Sequence, residues 1–364
     1  MHIKHLASAL ALAGSLSACG GGGGGGGDGT GEGRVITPAA SLPPAPAAPD
    51  PAPTSEPATP TPTPTPSPAP TVVPSLPSEG TLATPETLAA ILGAARSGDT
   101  IVLAPGDYGP VALPRVSYSP ALRIDASRAR LSEVVIFRTG GVEWTGGTLK
   151  GDREQTWSVR IDTAERVRIS GMSLSGAKVG IGVSRSSDVE VSGNRFDGIR
   201  HDGVNIAMSQ RVQVLRNMCI NFDPVLPIYD PTGKLITDGD HPDCVQGWSR
   251  VGYPLTSDIL IEDNVGVGTM QGVFFEDYGD GGYDRVTVRG NDFTLGMFQG
   301  ININNGRDTV ITGNRVRPVP GSRLLAYPYP AIRPWIRAVG ERLTMCGNQA
   351  ESYPADEPAN QPCR

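Results

Sequence analysis

The chain has 364 residues, of which 47 are glycine and only 5% are aromatic. Its formal net charge of −6 argues against a nucleic-acid partner, because nucleic-acid-binding domains carry basic patches. Small turn-forming residues and β-branched residues replace the Leu, Ala, Glu and Lys mixture of helical proteins. Composition therefore favours a protein built from strands and turns.

The N-terminal residues 1–18 are predicted to be a signal peptide that is removed. The basic Lys4 precedes an apolar run that is too short to span a bilayer. Residues 16–19, Leu-Ser-Ala-Cys, resemble the cleavage site of bacterial lipoproteins; the alternative is an ordinary signal peptide with a chance cysteine. The resemblance implies lipidation of Cys19, and Gly20 after it implies the outer membrane. We expect a protein of the bacterial cell envelope that contacts the membrane only through its lipid anchor.

Residues 19–79 are predicted to be a disordered tether. A glycine run is followed by a segment dominated by Pro, Thr and Ala, which cannot bury enough apolar surface to fold and favours extended polyproline II. The folded domain is predicted to cover residues 80–350, and residues 351–364 form a C-terminal tail.

A short helix is predicted over residues 84–96, where the folded domain begins. Thr84 is the candidate N-cap, and Pro85 and Glu86 are favourable residues for a first turn. An open solenoid end needs a cover, so we expect this helix to cap the N-terminal end.

A short phrase then recurs along the chain: apolar, any residue, apolar, any residue, and Gly-Asn or a near relative. It begins at Val142, Val167, Val189, Val212, Ile259, Val286, Thr309 and Leu343. Most steps between these positions are 22 to 27 residues long, which marks a structural repeat. Each phrase alternates with period two and reads as a strand, and Gly or Asn is expected to take the left-handed turn after it. Stacked units of this kind predict an all-β fold, a single-stranded right-handed parallel β-helix.

The opening of the domain resembles a known family. Residues 87–91 (Thr-Leu-Ala-Ala-Ile) and 97–108 (Ser-Gly-Asp-Thr-Ile-Val-Leu-Ala-Pro-Gly-Asp-Tyr) are similar to the start of right-handed parallel β-helix polysaccharide lyases, nearest the alginate lyases and chondroitinase B. The resemblance implies the fold and a polysaccharide partner. It does not fix the reaction, because the same helix also carries glycoside hydrolases, uronate epimerases, tailspikes and adhesins.

Four cysteines follow Cys19, and in an oxidising compartment three pairings are open. A Cys346–Cys363 disulfide would pin the tail over the last coil. A Cys219–Cys244 disulfide would close the base of the longest insertion. Free buried cysteines are the alternative.

Aligning the second apolar run of each coil places Asp202 and Asp243 at equivalent positions. His201 stands one residue before Asp202, and His241 stands two residues before Asp243. Two carboxylates one coil apart repel each other, which raises one pKa or attracts a cation. These four residues are the candidate catalytic residues, expected in one exposed groove beneath the insertion 221–241. The alternative is that the aspartates cap turns and their neighbours form a structural ladder.

Polar and aromatic residues in the adjoining outward columns are candidates for substrate binding. They are Arg200, Asn205, Gln246, Trp248 and Glu276. Trp248 suits stacking on a sugar ring. Asp238 and Asp240, with Asp243, are weak candidates for Ca²⁺ ligands, and no other cofactor is indicated.

Three functions remain open for this chain, which we expect to be a monomer with a polysaccharide partner. The first is a lyase or epimerase, in which His201, His241 or Arg200 removes the proton α to a uronate carboxylate. The second is a glycoside hydrolase that uses the aspartate pair, and the third is a non-catalytic binding or surface solenoid. The chain departs from the lyase family because no lysine is expected near the cluster.

Overall fold

The structure, a computed structural model, describes residues 80–232, 234–277, 281–320 and 333–350. Within them the chain winds through about ten turns and contributes strands to three parallel ladders.

The first ladder contains Pro110–Ala112, Glu133–Phe137, Trp157–Asp162, Val179–Ser184, Asp202–Ala207, Asp243–Trp248, Gln271–Phe275, Gln299–Arg307 and Trp335–Glu341. The second contains Thr81–Ala83, Thr100–Leu103, Ser117–Asp125, Gly140–Thr145, Glu165–Ser170, Ser187–Ser192, Gln210–Leu215, Ser257–Glu262, Tyr283–Arg289, Val310–Thr312 and Thr344–Cys346. The third contains Gly106–Asp107, Ala129–Leu131, Thr148–Lys150, Ser173–Ser175, Arg195–Asp197, Met218–Ile220, Val265–Gly268, Asp292–Leu295 and Arg315–Pro318.

The recurring phrase forms the second ladder. Val189 pairs with Val212, Val212 with Ile259, and Ile259 with Val286. These side chains are at most 1% exposed, because the period-two alternation turns them all into the core. The predicted stacking of the repeats in one register is confirmed.

The Gly-Asn pair after each strand has two separate structural roles. The glycine takes the left-handed conformation, with φ of 62° at Gly193 and 67° at Gly290. The asparagine was also expected to take that turn, and this is wrong. It forms a buried amide ladder instead, in which each Nδ2 donates to the Oδ1 of the next coil at 2.8 to 3.0 Å. The ladder consists of Asn194, Asn217, Asn264, Asn291, Asn314 and Asn348.

A second column of left-handed residues carries alternating charge along the start of the second ladder. It consists of Arg166, Asp188, Arg211, Asp258, Arg285, Asp308 and Arg342, with φ between 51° and 58°. Asp188 and Arg211 form a two-bonded ion pair at 2.7 and 2.9 Å, and the pairs after it repeat this contact. The network offsets the conformational cost of a left-handed residue that is not glycine.

One helix is found within the described residues, Leu88–Ala94, and it buries Leu88 and Leu92 against the first coils. It begins later than predicted. The carbonyl of Thr84 accepts the N–H groups of Thr87 and Leu88 in a turn, and its hydroxyl donates to Glu86 instead of capping the helix. No helix among the described residues is long and apolar enough to cross a membrane.

The longest insertion leaves the coil after Ile220 and returns at Asp243. It contains an antiparallel hairpin, Ile228–Tyr229 with Leu235–Thr237. The structure contains the predicted Cys219–Cys244 disulfide, with the Cα atoms 5.6 Å apart and both residues fully buried. Cys363 lies outside the described residues, so the Cys346–Cys363 pairing stays a prediction, as do the signal, the tether and the tail.

Candidate functional site

The first ladder brings the sequence-predicted columns together. Asn205 pairs in register with Gln246, Gln246 with Phe274, and Phe274 with Asn302. Their side chains face outward because the Val and Ile residues between them fill the core. Asp202 and Asp243 begin two neighbouring strands of this ladder, as the alignment predicted.

Asp202 links a histidine to the first amide of this face. Nδ1 of His201 lies 3.1 Å from Asp202 Oδ1, and Nδ2 of Asn205 donates to Asp202 Oδ2 at 2.8 Å. Asp202 is 1% exposed. Burial alone would lower the pKa of His201, but the charge of Asp202 and its hydrogen bond outweigh burial, and the pKa is raised. The arrangement holds the imidazole by Nδ1 and leaves Nε2 for other partners.

Asp243 is the most unusual group of the site. It is fully buried, and neither carboxyl oxygen has a hydrogen-bond partner in the structure. Burial raises the pKa of Asp243 well above its usual value, and the charges of Asp202 and Glu276 raise it further. A buried carboxyl with a raised pKa therefore stands beside the hydrogen-bonded Asp202, and two carboxyls in different surroundings are a pattern of acid/base sites.

The predicted binding residues adjoin these carboxyls. Gln246 Oε1 accepts hydrogen bonds at 2.8 Å from Asn205 Nδ2 and from Trp248 Nε1. Trp248 is half-buried, so part of its ring is available to a ligand. Burial raises the pKa of Glu276, although the charge of Arg337 opposes this shift.

The expectation of one open groove is wrong in part. Asp202, Asp243 and Gln246 are at most 5% exposed, because outward side chains on adjacent coils stand about 4.8 Å apart and cover one another. The side chain of His241 is 60% exposed and pairs with Asp238 at 3.4 Å. The structure therefore places His241 in solvent, away from the buried carboxyls, while His201 joins them.

The two Ca²⁺ candidates are committed to other partners. Asp240 accepts from Arg200 Nε at 2.7 Å and from the Val225 N–H at 2.7 Å, and Asp238 faces His241. Burial alone would raise the pKa of Asp240, but these hydrogen bonds prevail and lower it. No group of three or more acidic, histidine or cysteine side chains is placed to hold a metal ion within the described ranges.

The sequence analysis missed Lys178, and its expectation that no lysine lies near the cluster is wrong. Lys178 precedes the strand that pairs with Asp202, and its carbonyl accepts the His201 N–H at 2.8 Å. Its Nζ lies 3.1 Å from Glu154, which also binds Arg200 at 3.0 Å. The signal was available in the repeat, because Lys178 stands one coil before His201.

Buried polar atoms without partners continue along the same face. They are Asp243 Oδ1 and Oδ2, Gln271 Oε1, Asn302 Oδ1 and Trp335 Nε1. They belong to four consecutive strands of the first ladder. Buried polar groups normally have partners, so this row marks the part of the first ladder whose polar groups are least satisfied.

A separate open groove of about 640 Å³ lies on the outer face of the second ladder. Its charges neutralise one another, since Arg168 binds Glu190 at 2.9 Å and Glu143 at 3.4 Å. The groove provides space, whereas the first ladder carries polar groups without hydrogen-bond partners and side chains with shifted pKa values. The candidate site is therefore the first-ladder cluster around His201, Asp202 and Asp243.

Comparison with known proteins supports the coil geometry. A family model described as a right handed beta helix region matches residues 148–316. The chain is a right-handed parallel β-helix. No curated protein sequence matches it.

Several solved structures are similar to this β-helix. A surface adhesin of Streptococcus pneumoniae, PfbA, has 13% identity and a TM-score of 0.43 over 72% of this chain and 79% of its own. An alginate lyase from Paenibacillus has 16% identity and a TM-score of 0.33 over 77% and 98%. A mannuronan C-5 epimerase A-module of Azotobacter vinelandii has 13% identity and a TM-score of 0.41 over 76% and 92%.

Proposed function

We propose that this β-helix acts on a polysaccharide, and that it is a lyase for a polymer containing uronic acid. The observation that carries the proposal is the pairing of His201 with buried Asp202 beside the buried Asp243, whose pKa is raised and whose oxygens have no hydrogen-bond partner. A positioned base and a nearby acid with separated pKa values are what α-proton abstraction from a uronate requires.

The residues would divide the reaction between them. Nε2 of His201 removes the proton α to the uronate carboxylate while Asp202 holds Nδ1 and stabilises the imidazolium. The electron pair of the broken C5–H bond forms the C4–C5 double bond as the C4–oxygen bond breaks, and the departing oxygen takes up a proton from solvent to become a hydroxyl. Asp243 lies fully buried next to Asp202, and its raised pKa disfavours a second negative charge beneath the developing one. An epimerase would share the first of these steps.

A polysaccharide panel tests the function. Purified protein is incubated with acidic and neutral polysaccharides, and both ultraviolet absorbance of unsaturated uronate and new reducing ends are measured. The proposal requires absorbance and reducing ends together. Reducing ends without absorbance would contradict a lyase, and a bound polysaccharide that gives neither product would indicate a binding solenoid.

His201 and His241 provide a matched pair of variants. We expect His201→Ala to lower turnover by about 10²- to 10⁴-fold, the usual loss of one proton-transferring group. His241→Ala should retain activity, because its exposed imidazole pairs only with the insertion. Equal activity of both variants, each with a wild-type circular dichroism spectrum, would contradict the assignment of His201 as the base.

A glycoside hydrolase is the second candidate, favoured by the neutral Asp243 beside Asp202. The two functions predict opposite pH dependence. A lyase using His201 gains activity as pH rises through the raised pKa of that histidine, whereas a hydrolase using Asp243 as its acid loses activity as pH rises through the pKa of Asp243. The pH profile of the active polysaccharide therefore separates them.

We also propose a cell-envelope location with a lipid anchor at Cys19, supported by the lipoprotein-like residues 16–19. Labelling with a radioactive fatty acid in a bacterial host should mark the wild-type chain and not Cys19→Ser. Label on neither chain would contradict the anchor.

A further inference from the structure

Two cations from neighbouring coils meet beside the proposed base. Lys178 stands directly before the strand that pairs with Asp202, and Arg200 directly precedes His201. The coils are tied together here, because the His201 and Asp202 N–H groups both donate to the Lys178 carbonyl. Lys178 and Arg200 are therefore held on the scaffold that also fixes the imidazole.

Both cations bind one carboxylate. Lys178 Nζ lies 3.1 Å from Glu154 Oε2, and Arg200 Nη1 lies 3.0 Å from Glu154 Oε1. The glutamate side chain is 75% exposed, whereas that of Arg200 is 16% exposed. The scaffold therefore fixes the two cations, whereas the carboxylate of Glu154 is exposed to solvent and lies outside the ladder strands.

Arg200 is oriented by a different, buried partner. Asp240 is only 11% exposed and binds Arg200 Nε at 2.7 Å and Nη2 at 3.2 Å. Asp240 itself is held by the N–H of Val225. This leaves Nη1 of Arg200 directed to Glu154, so the guanidinium stays in place if Glu154 is displaced.

We propose that Lys178 and Arg200 form the binding site for a carboxylate of an acidic glycan, and that Glu154 occupies this site until the ligand displaces it. The inference rests on the proposed function, since it places a uronate carboxylate next to His201. An exposed ion pair contributes at most about a fivefold change in equilibrium, so a multivalent acidic ligand can compete with it.

The test is the affinity for acidic oligosaccharides measured by calorimetry, without reference to turnover. The probes are an oligoalginate and an oligogalacturonate, each compared with its carboxyl-reduced counterpart. Glu154→Gln should tighten binding of an acidic probe by about two- to fivefold, because the internal competitor is removed. Lys178→Gln should weaken it by about tenfold, because a charge-assisted hydrogen bond is lost.

The matched control is Glu165→Gln, which removes another exposed glutamate paired with an arginine, on the second ladder. It should leave affinity unchanged. Equal affinities of wild type and Glu154→Gln, or equal binding of the carboxyl-reduced probe, would overturn this inference. Wild-type lyase activity could still be present then, so the proposed function would stand. Binding of neither acidic probe to wild type or Glu154→Gln would overturn the inference as well.

Discussion

Replacing the buried Asp243 by asparagine should reverse part of the pH dependence of stability. Burial and the charges of Asp202 and Glu276 raise the pKa of Asp243 in the folded protein, whereas the unfolded chain has a pKa of about 3.9. A raised pKa means that the folded state binds the proton more tightly. The stabilisation is complete below pH 4 and is lost as pH rises toward the folded pKa.

The change in unfolding free energy follows from the one proton that Asp243 binds. Wild type loses about 1.4 kcal/mol of unfolding free energy for each pH unit over which folded Asp243 stays neutral and the unfolded chain is ionised. Asp243→Asn has no proton to lose. The variant should therefore gain stability relative to wild type with that slope above pH 4, on top of a constant offset from the new amide.

Urea denaturation of both proteins from pH 4 to pH 8 measures the slope. Asp188→Asn is the control of opposite sign, because the hydrogen bond from Arg211 lowers the pKa of Asp188. Its stabilisation is complete above the unfolded pKa of about 3.9 and is lost as pH falls below it, so this variant should differ from wild type by a constant amount between pH 5 and 8 and by less when the series is extended below pH 4. A pH-independent difference between wild type and Asp243→Asn would refute a neutral Asp243.

The other predictions concern the amide ladder, the disulfide and the base. Asn264→Ala should cost about 3 kcal/mol by urea denaturation, because its side chain bonds to both neighbouring coils, whereas Asn348→Ala at the last coil should cost less. Equal costs would contradict a cooperative ladder. Replacing Cys219 and Cys244 together by alanine should cost about 2–5 kcal/mol; an unchanged urea midpoint would contradict a stabilising cross-link. Activity should rise with pH through the raised pKa of His201, and a flat pH–rate profile would argue against this base.

The fold was predictable because each coil repeats the same pattern of apolar and turn residues. The spacing between repeats determines which residues stack on one another, and the two-residue alternation along each strand determines which side chains face inward. The predicted pairing of Asn205 with Gln246 is therefore confirmed. The left-handed role given to Asn264 was wrong, since a sequence pattern does not show whether a turn residue supplies its backbone or its amide.

The site was less predictable because loop conformation and burial determine which side chains meet there. Alignment brought Asp202 and Asp243 together, but it could not show that their oxygens are buried. His241 looked equivalent to His201, yet it stands two residues before its aspartate instead of one and turns into solvent. Lys178 stands in the repeat one coil before His201, but its partner Glu154 lies in a segment between strands that no column of the alignment contains.

The central claim is that the first ladder around His201 and Asp243 binds the polysaccharide. A crystal structure of His201→Ala with an oligosaccharide from the active polysaccharide tests it most directly. The sugar should lie over the first ladder, next to the half-buried Trp248 and Glu276 that adjoin the buried carboxyls. Density confined to the groove on the second ladder, beside Arg168 and Glu190, would contradict the claim.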